Sequence, residues 1–448
     1  LRKTYMTNTI TANNLKPSSM IFLSIQHVLV MYAGAVSIPL IVGGALGLST
    51  AEIAFLITAD LFVCGIATLI QTIGFKNVGI RFPIMMGVTF TAVGPMIAIG
   101  TNPDMGLLSV FGAIIIAGIF GFLISPFIGK LIRFFPPVVT GTQILVIGLS
   151  LIGIAGTWSA GGYGVKDFGN PLYLSIAACV LLSIIIISRY VKGFLGNISV
   201  LIGMGIGYII AAFSGLISLD KIDESPWLGW VMPFHFGIPE FNFWAVLTMC
   251  VVMLVIFIET AGMFMAVGEI VEEEVDQEKL TRGFRADSLG TMIGGIFNIF
   301  PYTSYAQNIG LLAITGVKNR SVCALAGVFL ILLGLFPKIA YFVASIPSCV
   351  LGGAALFMFG MVTSNGIKVL QRVDFQNVNN LYIIAVSAGI GMLPVFSPTI
   401  FSQLPSYLSP LLNSPILLTA FCAVILNAVL NRKQRILDEQ YLQKLKDA

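Results

Sequence analysis

The sequence predicts an all-α polytopic membrane protein of 14 transmembrane spans, arranged as 7+7 inverted repeats. Three observations predict it. Of 448 residues, 57% are hydrophobic and 10% charged, against about 25% charged in a soluble domain, and the mean hydropathy is +0.96. Apolar runs of bilayer length recur from end to end, leaving no room between them for a soluble domain. Basic residues alternate between abundance and scarcity from loop to loop, as they do on the two sides of a membrane.

The spans fall near 19–43, 51–74, 79–100, 107–128, 137–155, 171–189, 195–218, 241–268, 284–299, 301–316, 320–343, 347–366, 379–397 and 412–431. Alternate loops carry Lys76/Arg81, Lys130/Arg133, Arg189/Lys192, Lys279/Arg282/Arg285, Lys318/Arg320 and Lys368/Arg372. With both termini, that side holds 21 basic residues, and the other holds only Lys166, Lys221 and Lys338. One missed span would destroy the split, so both ends are expected in the cytoplasm of a multi-pass protein of the cell (inner or plasma) membrane. Residues 1–18 are polar and precede no small-residue cleavage site, so no cleavable signal peptide is expected.

Spans four and five carry Ala117-Gly118-Ile119-Phe120, Pro126 and Pro136-x-x-Val139-x-Gly141. Spans eleven and twelve repeat this as Ala326-Gly327-Val328-Phe329, Pro337 and Pro347-x-x-Val350-x-Gly352. The echo is seven spans apart, an odd number, so the halves must be inverted. Inverted repeats with a site at the midplane characterise secondary transporters. Spans three (GIRFPIMMGVTFTAVGPMIAIG) and ten (FPYTSYAQNIGLLAITG) occupy matching places and are interrupted by Pro83, Gly87, Gly94 and Pro95, and by Pro301 and Gly310. Each predicts an extended entry followed by a half-helix, with freed backbone groups facing a solute.

Span eight carries Glu259, the only ionisable residue between Glu240 and Glu269. A carboxylate at that depth is costly and marks a functional site. Span ten carries Gln307-Asn308, and an amide offers both a donor and an acceptor. That pair matches a lactam edge, while an ionised Glu259 accepts from ring N–H groups. The alternative is that Gln307 and Asn308 satisfy the broken backbone of span ten. His27 and His235 are the only histidines, and the six cysteines lack a CxxC pair, so no metal cluster, zinc site or disulfide framework is indicated. Neither GxSxG nor HExxH is present, so an intramembrane enzyme is not expected.

Gln307-Asn308-Ile309-Gly310, four residues and Thr315-Gly316 resemble the signature of the nucleobase–ascorbate transporter family (nucleobase:cation symporter-2), Gln/Glu/Pro-Asn-x-Gly-x4-Thr-Arg/Lys/Gly. The resemblance extends to Gln26-His27, Thr89-Phe90, FPPVVTG at 135–141, Glu259-x-x-Gly262, Ala286-Asp287 and IPSCVLGG at 346–353, and is strongest to bacterial xanthine and uric acid permeases. It implies a proton symporter of oxidised purines working by an elevator-like movement in a homodimer, with no cofactor beyond the coupling proton and no nucleic-acid partner. It also implies core domains at 19–136 and 241–346 and gate domains at 137–240 and 347–432, between cytoplasmic ends at 1–18 and 433–448.

By the same resemblance Glu259 and Gln307 hold the base by side chain and Phe90 stacks on it. Thr89 and Ala306 contact it by backbone, and Asn308, Asp287 and His27 support the site or its proton coupling. Gln307 resembles the xanthine/urate members, whereas uracil members tend to carry Glu there; a uracil symporter is the nearest alternative. A same-fold anion transporter is expected to lack the Gln-Asn/Glu set. Many members have Asp where this chain has Met263, which removes an acid one turn beyond Glu259.

Other polar groups carry plainer readings. Asp287 is either a helix cap or ion pair or a coupling group, and His27 either structural or pH-responsive. Asp60 is intramembrane with no evident partner, and His235 is incidental in an outer loop. GEIVEEEVDQEKLTRGF reads as a solvated linker, and the tail KQRILDEQYLQKLKDA as an amphipathic segment along the membrane surface.

Overall fold

The computed structural model describes residues 16–129, 135–217 and 226–432. The amphipathic tail and most of the polar N-terminus therefore lie outside the described residues. Helix α1 (Pro17–Ala45) begins on a proline, where the missing N–H is no loss. A capping box opens α2 (Thr50–Ile73): the Ser49 backbone N–H donates to Glu52 Oε2 at 2.7 Å and the Glu52 N–H to Ser49 Oγ at 3.3 Å.

Proline and glycine break the next segment. It enters as strand β1 (Met86–Val88), tightens through a 3₁₀ turn at Phe90–Ala92 and continues as the half-helix α3 (Val93–Gly100). Helices α4 (Gly106–Ile124), α5 (Pro137–Ser159), α6 (Pro171–Tyr190) and α7 (Ser199–Phe213) follow. The second half opens with α8 (Phe243–Val271), capped by the Asn242 side chain, and α9 (Gln277–Ile296), capped by Asp276. Strand β2 (Tyr302–Ser304) then leads into the half-helix α10 (Ala306–Thr315). Both extended entries expected from the broken spans are present. They pair antiparallel, Gly87 opposite Thr303, and further bonds from Thr89 N–H to Pro301 O and Tyr305 N–H to Met85 O close the ladder. Chain-interior backbone that leaves the helix is thus paired.

The longer helices that follow are α11 (Arg320–Leu333), α12 (Pro337–Ala344), α13 (Ser348–Leu370), α14 (Val378–Phe396) and α15 (Pro415–Leu430). Eight helices among the described residues are long and apolar enough to cross a bilayer, or ten if two sharply bent pairs each count as one span. That is fewer than the fourteen segments read from the sequence. Two of the shortfall are half-helices, which hydropathy cannot distinguish from full spans; α7 has 15 residues, and α9 starts earlier than expected, at Gln277, with several charged residues in its first turns.

The helices pack as two groups. α2 lies on α11, α12 and α9, α4 on α9 and α8, and α1 on α2 and α11. α13 lies on α5 and α6, α6 on α7, and α14 on α15 and α5. The repeated glycines sit at crossings. A Cβ on Gly118 would lie 2.7 Å from Met292 N of α9, and one on Gly327 3.0 Å from Gly65 O of α2. Gly141 meets Leu370 of α13, and Gly352 meets Ser159 of α5. Without a hydrophobic force between helices in lipid, such close backbone approach is what holds them.

The buried Asp60 finds the partner its sequence context did not reveal. Tyr302 Oη donates to Asp60 Oδ1 at 2.8 Å, joining α2 to β2, and Asp60 Oδ2 has no partner among the described residues. Tyr302→Phe leaves the carboxyl without its side-chain donor and is expected to destabilise the fold by about 2 kcal/mol. Thermal unfolding in detergent checks this; an unchanged midpoint would mean the bond adds nothing.

Candidate functional site

Glu259 sits in the middle of α8, half-buried, facing the 3₁₀ turn that follows β1. Thr91 Oγ1 donates to Glu259 Oε2 at 3.0 Å and Thr89 Oγ1 does so at 3.5 Å. Thr89 also caps the turn, accepting from the Thr91 N–H at 3.1 Å. The break in span three thus delivers two hydroxyl donors to one carboxylate. The adjoining Thr260 shares a 2.8 Å hydrogen bond with Thr303 of β2, so α8 is fastened to the strand pair beside its acid.

Glu259 opens on a cavity of about 370 Å³ that also touches Thr91, Thr140 and Gln143, and runs to Glu269 near the end of α8 and Arg372 just beyond α13. That volume suits a small polar ligand. A larger cavity of about 520 Å³, between α3, α5 and the segment before α15, has no ionisable side chain in its lining, so the Glu259 cavity is the better candidate on chemistry.

The amide pair divides its work. Asn308 is buried, and its Nδ2 donates to His27 O at 2.9 Å and lies 3.1 Å from His27 Nδ1. It therefore ties α10 to α1 rather than to the broken backbone of span ten. Gln307, the second residue of α10, is exposed and has no side-chain hydrogen bond among the described residues, so its amide is uncommitted. Ala306, the first residue of α10, is also exposed. The Tyr305 ring, just before α10, fills the space beside Gly34 and Gly87, where neither residue has a side chain. Gly316 ends α10 at φ +66°, a left-handed cap that suits glycine. Thr315 Oγ1 donates to Leu311 O at 2.9 Å, and Gly310 is exposed with open space where a Cβ would stand.

Phe90 is half-buried and packs edge-on against Phe359 of α13, with centroids 5.7 Å apart. Asp287 is not a helix cap, and it forms no ion pair among the described residues. It is 0% exposed and well inside α9, where Gln71 Nε2 donates to its Oδ1 at 2.8 Å and Gln71 Oε1 accepts from the Ile80 N–H at 3.0 Å. Its Oδ2 has no partner among the described residues. The cap expectation failed because α9 starts at Asp276–Gln277. His235 stacks on Phe55 at 3.8 Å between centroids, away from these groups.

Thus the structure joins Glu259 to Thr89, Asn308 to His27 and Asp287 to Gln71, but brings no hydrogen bond between Glu259 and Gln307. Thr91, the nearer donor to Glu259, was missed from sequence; its spacing two residues after Thr89 was the available signal. No group of three or more His, Cys, Asp or Glu residues among the described residues is placed to hold a metal ion.

The Permease family model matches residues 18–400. The chain is similar to the uric acid transporter UacT of Escherichia coli (strain K12), 50% identical over 95% of this chain and 88% of that one. It is 46% identical to the xanthine permease of Bacillus subtilis (strain 168), over 91% of this chain and 93% of that one. It is also similar to the nucleobase transporter PlUacP of Paenibacillus larvae, 42% identical over 95% of this chain and 98% of that one. Among solved structures, the transmembrane domain of the cyanobacterial bicarbonate transporter BicA shares the fold at TM-score 0.58 and 15% identity, covering 91% of this chain and 97% of that one. SLC26A9 does so at TM-score 0.64 and 11% identity, covering 94% and 66%.

Proposed function

Because the chain belongs to the Permease family, as a nucleobase:cation symporter-2 transporter, we propose that it is a proton-coupled symporter importing xanthine, uric acid or both. The observation that carries this reading is Glu259: a carboxylate inside a membrane helix, held by two threonine hydroxyls and opening on a cavity of ligand size. Its oxygens accept ring N–H groups, and the uncommitted Gln307 amide answers a neighbouring lactam edge. Phe90 supplies an aromatic face, and Thr89 and Ala306 lie where their backbone groups contact the base. Asn308, His27 and Asp287 keep the half-helix and its surroundings in place and serve the proton coupling.

In this mechanism binding of the base at the ionised Glu259 is linked to protonation of that carboxylate in the loaded site, and both ligands are released to the cytoplasm. The empty ionised site resists crossing, because moving a bare charge through the membrane is costly. The moving part is an elevator-like core of residues 19–136 and 241–346 against a gate of 137–240 and 347–432, in a homodimer of the inner membrane. The packing supports a fourteen-span inverted repeat. Shifting each segment by seven exchanges the pair α2–α11 with α9–α4, α1–α11 with α8–α4, and α6–α13 with α14–α5, and returns α5–α13 and β1–β2 to themselves.

The test is uptake of radiolabelled xanthine by expressing cells, with excess unlabelled urate, uracil, hypoxanthine and ascorbate as competitors. Competition by urate and none by uracil is expected; failure to take up either labelled xanthine or labelled urate would overturn the assignment. Gln307→Glu replaces the donor–acceptor amide by an acceptor alone, and is expected to lower apparent xanthine affinity about tenfold or more, a change of about 1.4 kcal/mol. Unchanged inhibition constants would remove Gln307 from the site.

A further inference from the structure

The cavity beside Glu259 has a second polar wall that the family motifs do not account for. Gln143 lies on α5, within the apolar helix Pro137–Ser159, and is 3% exposed. Its side chain lines the cavity, and its Nε2 has no hydrogen-bond partner among the described residues. Thr140, Ile144 and Ile147 line the same cavity, so this is one helical stripe of α5. The Thr140 hydroxyl is already turned to Pro136 O at 3.4 Å. Gln143 is therefore the group on the stripe with a free donor, and a buried amide N–H left unpaired is destabilising unless something meets it.

We infer that Gln143 contacts the transported base and sets its specificity, its Nε2–H donating to an exocyclic oxygen while Glu259 accepts a ring N–H. The inference rests on the proposed oxidised-purine substrate. The chemistry is complementary: an ionised Glu259 can only accept, so a base bearing carbonyl oxygens needs a donor from another wall. The two residues belong to different helical groups, Glu259 with α4 and α10, Gln143 with α13. A base bonded to both bridges the groups. The contact exists only while the groups stand in this apposition, so the bound base favours that arrangement over others.

The experiment compares wild type, Gln143→Leu and Gln143→Asn in cells, with membrane abundance measured for each. Inhibition of labelled xanthine uptake is titrated with xanthine, urate, hypoxanthine (no 2-oxo group) and 2-hydroxypurine (no 6-oxo group). In Gln143→Leu the inhibition constant of xanthine is expected to rise about tenfold, equivalent to ~1.4 kcal/mol. The analogue lacking the contacted oxygen is expected to be nearly unaffected, so the wild-type preference for xanthine over it collapses. Gln143→Asn, with its donor drawn back by one methylene, shows the same loss in part. If Gln143→Leu fails to reach the membrane, Gln143→Asn decides by the same ratio. Unchanged constants, or an equal loss for all four bases, would overturn the inference while leaving the transport reading intact. Failure of the wild type to take up any of them would overturn both.

Discussion

Glu259→Gln is expected to abolish accumulation of xanthine or urate against a gradient while the protein still reaches the membrane. The substitution keeps the side chain's size but removes its charge and its proton-carrying capacity. Thr91 and Thr89 lose a charged acceptor, and the base loses a charge-assisted bond. Such bonds contribute about 1.5–3 kcal/mol, which alone lowers affinity by roughly 10- to 150-fold. Loss of the proton carrier removes uphill movement altogether, so the two effects separate. Apparent affinity is read from competition, and coupling from the ratio of internal to external substrate. Retained uphill uptake that still depends on pH would exclude Glu259 as the carrier.

Gly118→Leu and Gly327→Leu are each expected to destabilise the fold strongly. Each glycine meets backbone of the facing helix, Ser288–Met292 in one case and Gly65 in the other. Backbone cannot rotate away as a side chain tip can, so the helices must part. Overpacking in a core costs about 1–3 kcal/mol, and here the upper end is expected. The control is Gly205→Leu on α7, an exposed glycine with nothing within 4 Å of where a Cβ would stand. Fluorescence-detected size exclusion after a heat step checks this. The two crossing variants should lose the folded peak at lower temperature, with Gly205→Leu close to wild type. Equal behaviour of all three would mean the crossings are not close-packed.

These glycines also show how much was legible in the sequence. Their repeated sequence context singled them out, and the structure puts Gly118 and Gly327 each at a close helix crossing. Glu259 stood out because charge is rare in an apolar run, and Pro83 and Pro301 announced the broken segments that became β1 and β2. What could not be read was long-range pairing. Asp60 and Tyr302 are 242 residues apart, and Gln71 and Asp287 are 216 apart, so no local pattern joins them. Gln307 and Asn308 are adjacent and chemically alike, and only the approach of α1 shows that Asn308 is engaged by His27 while Gln307 is free. Gln143 passed unnoticed because one amide in an apolar helix has no periodic signature. Fewer long apolar helices are found among the described residues than segments were read from the sequence, because hydropathy registers a strand plus half-helix as one full crossing.

In the proposed mechanism, base and proton move together through the site at Glu259. The most direct measurement is uptake of labelled xanthine and urate into proteoliposomes of the purified protein under an imposed inward proton gradient. Accumulation above the external level with the gradient, its collapse on adding protonophore, and its absence in Glu259→Gln vesicles is the predicted result. Accumulation that persists without a proton gradient, or no uptake of either purine by the wild type, would contradict the claim.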